Sequence, residues 1–408
     1  MIDGSGMGRR PDDPERAIRY SRLRELLFLV DLVWGWLTLL VWLGGRRSAR
    51  WRATARRLAP HPRLVDPLHA LGYSLAQWLA GLPLVYLGGY VVEHRFGLST
   101  QTRVGWLADQ LKALGVMLAL EVPLTGVAYA IIRRSPRWWW LILAALALPF
   151  TALLAQLWPV LIAPLFNRYQ PLRDAALVER IRRLAEQRGV RVSAVLRMDM
   201  SRQTRKANAF FAGLGRTKRI ALADTLLDEL TPDEIVVVVA HELGHQVHRD
   251  VWKLIGLSGL ATLGGAWLLD RIARPLIRRE RERFGFASLG DPASLPLLTL
   301  LGSVLGTLAL PLMNRFSREV VEKGADRYAL EQTRRPDAFI SAMEKLGRMN
   351  LSDPSPSALV KAVLYSHPPI AERIRAARVF QGSPSMVGVA ANLASRAAGP
   401  DAAPGERM

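Results

Sequence analysis

Long uncharged apolar runs alternate with charged stretches along this sequence of 408 residues. Residues 138–166 contain no acidic or basic side chain, and residues 67–92 contain none apart from His69. A helix of about 20 apolar residues crosses a bilayer, so both runs are predicted to span a membrane. Four further runs carry at most one charged residue each and bring the predicted spans to six: residues 26–45, 113–132, 254–269 and 295–313.

The run at 254–269 is short for a crossing. It closely follows the buried helix predicted to carry His241 and His245, and we expect it to extend that helix into lipid. Polar stretches separate the runs and predict water-facing parts. A helix is predicted over 177–188, with short strands at 193–197 and 219–223. The sequence divides into a basic segment (1–25), a membrane region of about four spans (26–166), an α+β domain (167–253), two further spans (254–313), a mostly helical stretch (314–380) and a tail expected to be disordered (381–408).

Composition and charge narrow the function classes. The formal charge is +20, but the arginines cluster between apolar runs, so membrane lipids are the expected partners and nucleic acid is not. These clusters leave the orientation open, because six spans cannot place all of them on one side. The basic N-terminus precedes an apolar run without a convincing cleavage site, which favours a retained signal anchor. The chain has no cysteine, leaving His and carboxylates as plausible metal ligands.

The motif His241-Glu242-Leu243-Gly244-His245 is the strongest chemical signal. Residues four apart lie on one face of a helix, so both imidazoles can reach one zinc ion. The carboxylate of Glu242 can take a proton from zinc-activated water, which is the chemistry of peptide hydrolysis. Thr231-Pro232-Asp233-Glu234 is a capping box followed by an apolar run, so a buried helix is predicted to begin there and continue into the motif.

Two histidines leave a catalytic zinc site one protein ligand short. Three acids follow the last apolar run and are candidates for the third ligand: Glu319, Glu322 and Asp326. Spacing alone does not choose among them. His248 is another candidate, although three ligands so close together on one helix would strain a tetrahedral site.

Besides the zinc motif, further short motifs are spread along the chain: residues 82–83, 93–97, 162–167, 208–210, 218–220, 224–227, 322–326, 366–369 and 372–374. Taken together and in this order, they resemble the Ste24-type CaaX prenyl proteases, which are membrane zinc metallopeptidases of the M48 family. The resemblance covers most of the chain and implies a mainly α, polytopic helical membrane protein with an α+β zincin-like (gluzincin) catalytic domain.

By position, the resemblance makes Glu322 the third zinc ligand and Asp326 the hydrogen-bond partner of a ligand histidine. It also implies that Asn208 binds the substrate backbone, with Arg373 as a further substrate-binding candidate, and that His367 stabilises the oxyanion. One zinc ion per chain and a peptide or lipid-modified protein substrate are implied in the same way.

The sequence departs from the family pattern at Arg318, which precedes Glu322 by four residues instead of the usual three. The membrane region also looks shorter than in the eukaryotic members, which have seven spans. The resemblance implies cleavage at the carboxyl terminus of prenylated proteins. Two alternatives stay open: quality control of membrane proteins in the manner of HtpX-type peptidases, and a non-catalytic membrane protein with a structural zinc site. The sequence does not indicate an oligomeric state.

Overall fold

A computed structural model of the chain describes residues 14–213 and 218–382, so most of the tail predicted to be disordered lies outside the described residues. The fold combines long helices with a small sheet. The helices are α1 (Pro14–Leu43), α2 (Arg47–Leu58), α3 (Val65–Tyr86), α4 (Val92–Arg95), α5 (Arg103–Arg134), α6 (Trp139–Leu157), α7 (Ala175–Glu186), α8 (Asp224–Glu229), α9 (Pro232–Val247), α10 (Asp250–Phe284), α11 (Leu295–Phe316), α12 (Lys323–Thr333), α13 (Pro336–Met349), α14 (Ala358–Leu364) and α15 (Ile370–Gln381). The strands are β1 (Tyr169–Pro171), β2 (Ala194–Met198), β3 (Ala209–Ala212) and β4 (Arg219–Ala223).

Within the described residues, six helical segments are long and apolar enough to cross a membrane, and each overlaps one of the six predicted runs. The prediction of a multi-pass membrane protein is therefore confirmed. One detail differs, because α10 does not extend α9. Arg249 adopts a left-handed conformation with φ of 55° between them, and α10 then runs for 35 residues, which is ample for a crossing.

The two ends of the membrane helices differ in what they contact. At one end, Tyr20 of α1 donates to Glu93 over 2.6 Å. Lys206 lies 2.9 Å from the same carboxylate and belongs to the soluble part of the chain, which includes the residues between α6 and α10. At the other end, Arg52 pairs with Asp291, and Arg133 donates to the carbonyl of Gly290. We call residues 44–66, 133–139 and 270–294 the arginine-rich end. It lies at the end of the membrane helices opposite the soluble part, so the two internal arginine clusters, at residues 46–63 and 271–283, share one side.

The soluble part is built around a mixed sheet with the strand order β1-β2-β4-β3. Strands β2 and β4 are parallel, and β3 pairs antiparallel with β4, with Phe210 opposite Ala221. One hydrophobic core joins residues from both polar stretches of the sequence, including Ile220 of β4, Val237 of α9 and Phe339 of α13. The stretches predicted over 167–253 and 314–380 therefore pack together, although two membrane helices separate them in sequence.

Helix α9 begins where the capping box predicts. The Thr231 hydroxyl accepts from the backbone N–H of Glu234, and the Glu234 carboxylate accepts from the backbone N–H of Thr231 over 2.7 Å. The run Val236–Val239 has modest helix propensity, so tertiary burial must hold this helix together. The four valine side chains of this run are at most 8% exposed, and their packing makes the helix a rigid support for the motif at its end.

Candidate metal centre

The two motif histidines meet at the carboxyl-terminal end of α9. Their Nε2 atoms lie 3.2 Å apart, and His241 is 6% exposed. The four-residue spacing places both rings on one face of the helix, as the sequence predicts.

Glu322 completes the cluster from a distant part of the chain. Its Oε2 lies 3.3 Å from Nε2 of His241, and its Oε1 lies 3.9 Å from Nε2 of His245. The three side chains offer ligand atoms that all lie within 4.8 Å of one another. Oε2 of Glu322 is buried without a hydrogen-bond partner among the described residues, which is unfavourable unless a cation shares the site. The donor set of two imidazoles and a carboxylate fits a catalytic metal ion.

Gly244, inside the motif, lets α12 approach α9 closely. A Cβ atom at this position would lie 3.1 Å from Cα of Ala325 and 3.2 Å from the Tyr328 ring. Such contacts leave little room for any larger residue. The small residue therefore allows the helix that follows Glu322 to lie against the helix that carries the histidines.

A carboxylate orients each of the two histidines. Nδ1 of His241 lies 2.8 Å from Oδ1 of Asp326, and Nδ1 of His245 lies 3.0 Å from Oδ2 of Asp250. A proton on each Nδ1 satisfies these bonds and turns the Nε2 lone pairs toward Glu322. Burial acts to lower the pKa of His241, but the neighbouring carboxylates of Asp326 and Glu322 outweigh burial and raise this pKa to about 9.

Asp250 is a site residue that the sequence analysis missed. It is 1% exposed and also accepts from Lys253 over 2.8 Å. It is the first residue of α10, where an acid is ordinarily explained by the helix dipole. Its position five residues after His245 was the available signal, because the turn at Arg249 folds it back onto that ring.

Arg373 lies against both Asp326 and the His241 ring, with one terminal nitrogen 3.3 Å from Nδ1 of His241. Its Nε donates to Oδ2 over 2.8 Å, and one terminal nitrogen donates to Oδ1 over 2.5 Å, so the guanidinium holds both carboxylate oxygens. Arg373 is 9% exposed and also lines the cavity beside the metal cluster. The structure therefore places it where it can orient Asp326, while its predicted contact with substrate stays a prediction.

Glu242 faces a cavity of about 190 Å³, together with Asn208 and His367. Burial raises the pKa of the Glu242 carboxyl, although His241 and His245 act in the opposite direction. The side chain of His367 is 58% exposed, and its Nε2 lies 3.2 Å from Oε1 of Glu322. The predicted base, oxyanion donor and substrate-binding amide thus line one cleft.

Two alternative ligands lie outside the cluster. The His248 ring packs edge-on against Tyr328, with ring centroids 5.6 Å apart. Glu319 is exposed and pairs with Lys323 over 2.5 Å. Neither belongs to a group of potential ligands within the described residues.

A π-helical turn over Ser317–Glu322 connects α11 to α12 and carries Glu322 at its end. Arg318 in this turn is 5% exposed and donates to the carbonyls of Lys361 and Tyr365. It therefore ties the Glu322 segment to the loop that carries His367. A π turn accommodates one residue more than an α turn, which matches the extra residue between Arg318 and Glu322.

A larger cavity of about 530 Å³ adjoins the cleft on the membrane side. Asn208 lines both cavities, immediately before the edge strand β3. Most of the other residues that line the larger cavity are apolar, including Trp158, Phe166 and Phe210. An apolar group on a substrate held along β3 would therefore have room beside the cleft.

Comparison with protein families gives two matches that together cover most of the chain. Residues 171–380 match the model of peptidase family M48. Residues 11–168 match a model described as the CAAX prenyl protease N-terminal region with five membrane helices. The described part of that region has four segments long and apolar enough to span a membrane, one fewer than this description.

Curated relatives and a solved structure agree with these matches. The chain is 33% identical to the uncharacterized metalloprotease YhfN of Bacillus subtilis over 92% of this chain and 88% of the relative. It is 32% identical to the CAAX prenyl protease 1 homolog of Arabidopsis thaliana over 77% and 76% of the respective lengths. The crystal structure of S. mikatae Ste24p matches with a TM-score of 0.79 and 26% identity over 91% of each chain.

Proposed function

The chain belongs to peptidase family M48 and is a multi-pass membrane metalloprotease, and on this premise we propose that it is a zinc endopeptidase acting beside the membrane. His241, His245 and Glu322 are the proposed ligands of a single zinc ion. The observation that carries the proposal is the convergence of their ligand atoms within 4.8 Å, with a buried oxygen of Glu322 left without a hydrogen bond in the described residues.

Four further residues at the site have a proposed role. Zinc, when bound, would polarise water and the scissile carbonyl. Glu242 accepts the proton of the attacking water and passes it to the departing amine, which suits a carboxylate whose pKa burial raises. His367 donates to the developing negative charge on the carbonyl oxygen. Asp326 and Asp250 hold the two imidazoles in the required tautomer.

We propose that the substrate backbone lies extended along the edge of β3, with Asn208 donating to it. Within the described residues, β3 is the last strand in the order β1-β2-β4-β3 and no strand pairs with its outer edge, where an extended peptide could add. The 530 Å³ cavity next to Asn208 then accommodates an apolar group attached to the substrate. Together with the relatives named CAAX prenyl protease 1, this favours a prenylated protein carboxyl terminus as substrate.

The alternative substrate is a membrane protein with an ordinary apolar side chain in the same cavity. The long match to YhfN, whose name specifies no prenylated substrate, leaves this broader role as the second candidate.

Two peptides of identical sequence, one with a prenylated cysteine and one without, distinguish the substrates when incubated with the purified full chain. We expect faster cleavage of the prenylated peptide, and equal rates would instead favour the broader role. Glu242→Gln should retain zinc and lose at least about 100-fold in rate, because the general base is missing. Glu344→Gln, which changes an exposed acid, is the matched control. Undiminished cleavage by Glu242→Gln would refute the assigned base.

A further inference from the structure

A second feature lies at the arginine-rich end, away from the metal cluster. A cavity of about 650 Å³ lies between the start of α6 and the second half of α10. We call it the arginine groove, because its lining includes four arginines with a single acid: Arg137, Arg271, Arg274, Arg278 and Asp270.

The single carboxylate in the groove is already satisfied. Asp270 is 6% exposed and accepts from Nε1 of Trp139 over 2.5 Å. Nε of Arg274 lies 2.9 Å from both of its oxygens. Within the described residues, no ion pair is formed by the other three arginines of the groove. Their positive charge is therefore available to an anion.

The groove lies at the depth where the membrane helices leave the apolar layer. The uncharged run 254–269 ends immediately before Asp270, and the run 138–166 begins immediately after Arg137. Tryptophans are enriched at this boundary in membrane proteins. The guanidinium carbons of Arg137 and Arg271 lie 5.3 and 5.7 Å from the ring centroids of Trp138 and Trp267. These contacts hold two of the arginines at the level of lipid headgroups.

We propose that the arginine groove binds the phosphate of an anionic phospholipid. Guanidinium groups bind phosphate oxygens through paired, charge-assisted hydrogen bonds. Basic pockets between membrane helices are suited to anionic headgroups. A lipid fits better than a free phosphate because exposed apolar side chains lie beside the groove, with Leu141 on α6 39% exposed and Leu268 on α10 40% exposed. Acyl chains can lie against these side chains while the headgroup occupies the groove.

The proposal is tested with the double variant Arg271→Gln/Arg278→Gln and the full-length protein. Its matched control is Arg279→Gln/Arg281→Gln, which removes the same charge from exposed positions on the same helix outside the groove lining. Phosphatidylglycerol and phosphatidylcholine are titrated separately into detergent-solubilised protein, and bound lipid is counted by native mass spectrometry. We expect the groove variant to bind phosphatidylglycerol at least about ten-fold more weakly, with the control unchanged.

Three results would overturn the proposal. Equal affinity of the unmodified protein for the two lipids would exclude recognition of an anionic headgroup. An equal loss in both variants would mean that only the overall charge attracts lipid. Full displacement of phosphatidylglycerol by millimolar inorganic phosphate would assign the groove to a free anion.

Retained zinc and peptidase activity in the groove variant would establish that it is folded, because the metal cluster lies at the opposite end of the helices.

Discussion

Glu322 contributes the residue-scale contact that joins the two halves of the metal cluster. Because its oxygens lie 3.3 and 3.9 Å from the two imidazole nitrogens, we predict that Glu322→Ala lowers bound zinc from one ion per chain to well below one. Elemental analysis of purified protein measures this. Glu319→Ala, which removes an exposed acid three residues earlier, should keep its zinc. Full occupancy in Glu322→Ala would exclude it as an essential ligand.

Asp250 provides a second residue-scale prediction. Removing the carboxylate charge that holds Nδ1 of His245 should weaken zinc binding by roughly 10- to 100-fold in Asp250→Asn. Competition with a chromophoric chelator measures the affinity directly, without relying on activity. Asp228→Asn, at an exposed position, is the control, and Asp250→Glu should recover part of the loss. Unchanged affinity in Asp250→Asn would leave this residue with only its interaction with the dipole of α10.

The sequence could predict part of this site and not the rest, for a geometric reason. Helical periodicity is enough to bring His241 and His245 together. It cannot choose among Glu319, Glu322 and Asp326, because the π-helical turn changes which side chains face α9. The resemblance selected Glu322 and Asp326, which the structure brings beside the histidines. Their roles, and those of Asn208, His367 and Arg373, stay predictions.

Helix α9 depends on one buried acid at its start. Glu234 is 4% exposed and accepts from Lys345 over 2.8 Å, from Ser341 over 2.5 Å and from its own cap. Burial acts to raise the pKa of Glu234, but these hydrogen bonds outweigh it and lower the pKa. The carboxylate therefore stabilises the fold at neutral pH, and this contribution is lost as pH falls through the lowered pKa.

We accordingly predict that Glu234→Gln lowers the midpoint of thermal unfolding at pH 7. The difference from the unmodified protein should be full above the ordinary glutamate pKa of about 4.3 and should shrink at lower pH. Thermal unfolding followed across this pH range by tryptophan fluorescence measures the effect. Glu344→Gln is the exposed control. A difference that persists or grows in acid would contradict the assigned role.

Elements with strong patterns were the most predictable. The capping box gave the start of α9, and the apolar runs gave all six candidate spans. Strands β1 and β3 were not predicted, because three or four residues are too short to establish an alternating pattern. The break between α9 and α10 was missed because Arg249 takes a left-handed conformation that its residue type does not favour. The domain boundaries predicted from composition stay predictions.

At the scale of the whole molecule, the structure groups the two internal arginine clusters at one end of the membrane helices. Because the protein has no native cysteine, single introduced cysteines can report sidedness without background. We predict that Arg57→Cys and Ser288→Cys react with an impermeant maleimide from one side of the membrane, and that Ala358→Cys reacts from the other. Labelling of intact cells before and after lysis measures this. Reaction of Arg57→Cys and Ala358→Cys from the same side would contradict the topology.

The hairpin formed by α10 and α11 has a consequence for the order in which this protease is made. A ribosome finishes His245 well before it reaches Glu322, and both helices of the hairpin must enter the lipid in between. A nascent chain that ends before Glu322 contains both imidazoles but lacks the carboxylate proposed as the third ligand. In the proposed arrangement, the metal site therefore cannot be complete until both helices of the hairpin have been synthesised.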